Sequence, residues 1–116
     1  MGYEMKLYIV EECNFLIPSD GEKLWADVIA MIDICKCYEI MNVFKTEAKG
    51  YIYADDGNTR IDFDRYEEPL KSASIDEVMD ALNSVRKEYD RAQIAYDILK
   101  SFKKNRPNCV VYKFGY

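Results

Sequence analysis

Six carboxylates crowd one short stretch of the chain: Asp55, Asp56, Asp62, Asp64, Glu67 and Glu68. Asp62 and Asp64 stand two apart, so on a β-strand both project from the same face. Two carboxylates on one face could hold Mg²⁺ for phosphate chemistry, or could divide acid and base roles between them. A calcium loop is excluded, because no acidic run here has glycine at its sixth position and glutamate at its twelfth. A plainer role is open to the same residues. Solvated carboxylates around a turn and a sheet edge discourage that edge from pairing with another chain.

Other chemistry is thin. The 116 residues include no histidine, which removes His-based triads, Cys-His dyads, HExxH zinc sites and histidine pH switching. The glycines are isolated, with no phosphate-binding loop, no GxGxxG and no nucleophile elbow. Ser72 and Ser74 read as turn and cap residues. Four cysteines (Cys13, Cys35, Cys37, Cys109) are present, but Cys35-x-Cys37 lacks the spacing of zinc or redox sites. A chain this rich in apolar residues needs no disulfide staples, so the thiols read as buried and reduced. No metal site and no cofactor is assigned, and the balance falls against an enzyme.

Aromatic content is the stronger signal. Ten tyrosines are present, most of them in or beside expected strands. Tyr8, Tyr51, Tyr53, Tyr112, Phe114 and Tyr116 form a candidate aromatic face. If helices cover one face of a sheet, the other must meet solvent or a partner. Tyrosine suits that position, with a flat apolar body, a polar tip and little conformational entropy to lose.

The net charge of −5 is the sum of two unlike parts. Residues 1–90 carry 10 basic against 20 acidic side chains, and residues 91–116 carry 6 basic against Asp97 alone. An acidic body has the wrong sign for gripping phosphates. The run Thr59 to Tyr66 also puts acids where RNA-recognition modules are basic and contain glycine. Direct nucleic-acid binding is therefore not expected. The basic cluster falls at a helix end, where cations offset exposed carbonyls.

These residues must be positioned by local structure. Gly2 to Glu12 is rich in β-formers and reads as a first strand. Ser19 and Glu22 have capping-box spacing, and Leu24, Trp25, Val28, Ile29, Ile32 and Cys35 follow at helical intervals, which predicts a helix. Cys37 to Phe44 fits either a continuation of that helix or an extra strand. Tyr51–Ala54 and Arg60–Phe63 flank Asp55-Asp56-Gly57-Asn58 and predict a β-hairpin. Ser74 and Glu77 open a second helix with apolar residues from Ile75 to Leu99, and Cys109 to Phe114 reads as the last strand. At about 1.5 Å per residue a helix over 75–104 would reach roughly 45 Å, longer than so small a domain is wide. It must bend onto its own sheet, or dimerise through a seam of Val85, Tyr89, Ala92, Tyr96 and Leu99.

The expected architecture is a single α+β domain over residues 1–116. It is a two-layer sandwich in β-α-β-β-α-β order, ferredoxin-like or related, with an antiparallel sheet and a long second helix. No apolar run is long enough to span a membrane, and Met1–Cys13 lacks the regions of a signal peptide. Lys6 stands where a myristoylation start needs Ser or Thr. A cytoplasmic location is expected. The favoured functional expectation is a small non-catalytic acidic protein that regulates or inhibits another macromolecule. Its acidic hairpin would present a phosphate-like surface to a basic, nucleic-acid-binding protein. One alternative is a nucleotide-like ligand bound on the tyrosine-rich sheet face, in a monomer or a homodimer. Another is a Mg-dependent phosphohydrolase built on Asp62 and Asp64.

Overall fold

The computed structural model of the chain describes residues 5–12, 24–34, 37–53, 59–61 and 68–115. Strands β1 (Met5–Glu12) and β2 (Leu24–Asp33) are followed by a 3₁₀ helix (Tyr38–Val43). Four short strands come next: β3 (Thr46–Glu47), β4 (Gly50–Tyr53), β5 (Arg60–Ile61) and β6 (Lys71–Ser74). Helices α1 (Ile75–Asn83) and α2 (Asp90–Asn105) then lead to β7 (Val110–Gly115). This is an α+β arrangement. Strands β3, β6, β7, β1 and β2 form a five-stranded antiparallel sheet. Strand β4 adds to β2 in parallel, and β5 pairs with β4 antiparallel.

The segment expected as the first helix is instead strand β2, so the described residues do not show a β-α-β-β-α-β order. The Ser19–Glu22 capping box lies outside the described residues. Leu24, Val28 and Ile32 are four apart, a spacing that fits a helical stripe and, in a strand without a bulge, one face. The strand wins because β1 offers a long antiparallel partner, from Lys6↔Asp33 to Glu12↔Ala26. A bulge decides which faces β2 presents. Ile9 pairs with Ala30 but Val10 with Val28, leaving Ile29 as the extra residue. Ala26 and Val28 therefore face one side, and Ala30 and Ile32 the other. Residues 37–44, left open between helix and strand, hold the 3₁₀ turn.

The long second helix is broken into an antiparallel pair. Lys103 near the end of α2 bonds Asp76 at the start of α1, 2.6 Å apart. No glycine or proline marks the reversal between them. It falls at Tyr89, whose backbone is extended (φ −137°, ψ 108°) and whose hydroxyl donates to the Ile34 carbonyl at 2.7 Å. The capping box of α1 is formed as expected. Glu77 N–H donates to Ser74 Oγ at 3.1 Å, and Ser74 N–H to Glu77 Oε1 at 3.2 Å. Ser74→Ala is expected to cost about 1 kcal/mol. The cost is read as a lower urea midpoint at unchanged slope.

The helices cover the outer face of the sheet. Leu7, Ile9, Ile32 and Val111 from the strands pack there with Val78, Leu82, Ala92, Ala95 and Leu99. Among the described residues no helix is long and apolar enough to cross a membrane. The inner face is enclosed as well. Glu47 of β3 and Gly50 of β4 are three residues apart, so their Cα atoms lie within about 11 Å. In the strand order β3-β6-β7-β1-β2-β4 they are separated by five inter-strand steps, about 24 Å in a flat sheet. The sheet must curl until its ends meet across Ala48 and Lys49. Ala48 N–H donates to the Leu70 carbonyl at 2.7 Å at that junction. Tyr8, Val10, Ala26, Ala48, Ile52, Leu70 and Tyr112 fill the enclosed side.

Candidate functional site

The hairpin singled out by its carboxylates is anchored by β4 and β5, paired Ile52↔Ile61 and Tyr53↔Arg60. Alternation puts Ile52 inside, where it is fully buried, and turns Tyr51 and Tyr53 to the outer face. Their rings meet edge to face at 5.7 Å. The Arg60 guanidinium lies 3.8 Å from the centre of the Tyr51 ring, a cation–π distance. Tyr53 keeps 39% of its surface exposed. A tyrosine pair with an arginine is the composition that anchors protein–protein contacts. Arg60 was not singled out from sequence. Its position opposite Tyr53 across a two-strand hairpin is the signal that would have found it.

Of the six acidic residues, Glu68 is exposed. Asp55, Asp56, Asp62, Asp64 and Glu67 lie outside the described residues. By sequence Asp55 and Asp56 belong to the connection between β4 and β5, and the rest follow β5 directly. Among the described residues no group of three or more Cys, Asp or Glu side chains is placed to hold a metal ion.

The aromatic set divides. Tyr51 and Tyr53 face outward, whereas Tyr8 and Tyr112 are buried in the inner core. The face opposite the helices, expected to meet solvent or a partner, is closed where these two rings lie, because the sheet curls over it. Phe114 is half-buried, its ring edge-on to Tyr8 at 6.5 Å, and Tyr116 lies outside the described residues. Tyr112 has a structural duty. Its oxygen accepts from Gly50 N–H at 3.1 Å, and its hydroxyl donates to Glu12 Oε2 at 2.6 Å. One phenol thereby ties β7 to the end of β1 and the start of β4. Burial first, then the Glu12 carboxylate, holds its ionisation well above the usual tyrosine range.

The candidate dimer seam is used within the molecule. Ala92 and Leu99 are fully buried in the outer core, and Val85, Tyr89 and Tyr96 pack partly buried against it. The basic segment is also turned inward in part. Arg91 meets Asp33 at 3.4 Å and Arg106 meets Glu11 at 3.4 Å, alongside the Lys103–Asp76 pair. All three pairs are exposed and individually weak, but they spend much of that positive charge on the acidic body.

Cys37 and Cys109 are buried free thiols. Burial, with the Glu39 carboxylate 3.7 Å from its sulfur, pushes the Cys37 thiol up to about 11. Burial and the charge of Glu11 raise Cys109 as well. Both are therefore poor nucleophiles near neutral pH. No protein-family model, no curated protein and no solved structure matches the chain.

Proposed function

We propose that this chain is a non-catalytic, cytoplasmic interaction protein that regulates or inhibits another protein, with the β4–β5 hairpin as its contact region. The observation that carries this reading is the outward Tyr51–Tyr53–Arg60 group, which in sequence is interleaved with and followed by the carboxylates from Asp55 to Glu68. Aromatic anchors supply contact area, and the acidic run supplies steering toward a basic, nucleic-acid-binding partner. Burial of Tyr8 and Tyr112 favours a protein partner over a planar ligand stacked on the tyrosine face.

The test is affinity capture at low salt with the tagged chain and with Asp62→Asn/Asp64→Asn. The expected result is a stoichiometric partner whose retention falls steeply as salt rises and weakens gradually in the double variant. Failure to retain any stoichiometric partner at low salt overturns the reading. A divalent-metal-dependent phosphodiesterase activity abolished by the double variant would replace it with the hydrolase.

A further inference from the structure

Beyond the reach of the helices, the outer face of the sheet carries one row of side chains that crosses four strands. Glu11 on β1 stands opposite Asp27 on β2, and Tyr53 on β4 stands opposite Arg60 on β5. Strands β2 and β4 run parallel with Trp25 level with Tyr51. That pairing ends at Trp25 and Tyr51, and Asp27 and Tyr53 are the next outward-facing residues on the two strands. The row thus reads Glu11, Asp27, Tyr53, Arg60. Ile9, one outward position before Glu11, is fully buried, whereas Glu11 is exposed and Asp27 half-buried. The helical layer ends between these levels, where Arg106 reaches over to Glu11 at 3.4 Å.

Glu11 and Asp27 are like charges placed directly opposite, an arrangement that weakens a strand pair. Arg106 answers the first of them. Among the described residues the Asp27 carboxylate has no ion-pair or side-chain hydrogen-bond partner. Beside it, the Tyr51 ring already accepts a guanidinium on its face, while Tyr53 is the more exposed ring of the pair. An unanswered carboxylate next to an exposed aromatic ring complements a side chain with a positive head and an apolar stem.

We propose that this row is the docking surface for a lysine- or arginine-bearing segment of a partner protein, which sets its cation at Asp27 and lays its stem across Tyr53. The proposal rests on the interaction-protein reading above and names the chemistry of the partner at that same hairpin. Charge complementarity selects a basic segment, since the chain is net acidic and the unpaired group is a carboxylate.

The test is an amide chemical-shift titration of the full chain with a short lysine- and arginine-rich peptide, and with an acidic peptide of equal length as control. The basic peptide is expected to shift Glu11, Asp27, Tyr53 and Arg60 together, and the acidic peptide to shift none of them. Asp27→Asn and Tyr53→Ala should each weaken binding by about fivefold or more. Without peptide, Asp27→Asn should raise the melting temperature by relieving the repulsion from Glu11, which separates lost affinity from lost folding. Basic-peptide binding that maps elsewhere on the acidic surface, or is untouched by both variants, overturns this docking row and leaves the broader reading standing. No binding at low salt overturns the row, and absence of any captured partner then removes the broader reading too.

Discussion

Leu99→Ala is expected to lower the unfolding free energy by about 2–5 kcal/mol, the usual cost of deleting a buried leucine. Leu99 is fully buried beneath α2, in the outer core with Ala92, Ala95, Leu82 and Ile9. The alanines at 92 and 95 let α2 lie close to its neighbours, so little can move in to fill the hole. Small domains have only about 5–15 kcal/mol in total, and this one change takes a large share. Urea unfolding monitored by far-UV circular dichroism reads the loss. If the alanine variant does not fold, Leu99→Met keeps the volume and should cost less than about 1.5 kcal/mol. The same experiment bears on the seam. With Leu99 committed to its own core, the melting temperature should not change with protein concentration. A stability that rose with concentration would mean that a second copy contributes to this helix.

Tyr112→Phe should cost about 1–3 kcal/mol, because it removes two hydrogen bonds at once, one of them from a buried group. Gly50 N–H, which is buried, loses its acceptor, and the half-buried Glu12 carboxylate loses a donor 2.6 Å away. The drop in melting temperature at neutral pH should be roughly 5–15 °C. Alkaline pH supplies a second signature. An unfolded tyrosine ionises near 10, whereas burial, reinforced by Glu12, raises the folded value. The stability tied to this proton is fully present below about pH 10 and is lost as pH rises above it, because the unfolded chain releases the proton first. The wild type should therefore lose stability more steeply than Tyr112→Phe from about pH 10 upward. Parallel slopes would show that Tyr112 is not the group responsible.

What the sequence made legible was local. The first and last strands, the Ser74–Glu77 cap and the pairing of the two short arms of the hairpin each follow from a few neighbouring residues, and each is present. Three features needed information from far along the chain. Strand β2 reads as a helix in sequence because Leu24, Val28 and Ile32 fall at helical intervals; only pairing with β1, whose bulge turns Val28 and Ile32 to opposite faces, resolves the choice. The break between α1 and α2 was hidden because Val85 and Tyr89 pack on the same core as the helices they separate, so the apolar spacing runs through the turn. Closure of the inner face depends on Ala48 and Lys49 joining strands from opposite ends of the sheet order, which no local pattern records. The proposed contact region is half legible: carboxylates and tyrosines stand out in composition. The Glu11–Asp27 opposition depends on a register set by the bulge at Ile29.

Strand β7 also sets a schedule for folding. It lies between β6 and β1 and, among the described residues, joins β3-β6 to β1-β2-β4-β5 in the strand order. A chain emerging from the ribosome can build those two pieces early, but it cannot join them until residues 110–115 are free. Until then β1 and β6 each present an unpaired edge next to apolar surface, the state most open to wrong pairing. Joining Tyr112 to Glu12 closes a loop of nearly the whole chain, and such distant contacts place folding toward the millisecond-to-second range. During synthesis, the hazard for this sheet is thus concentrated in the interval before β7 arrives.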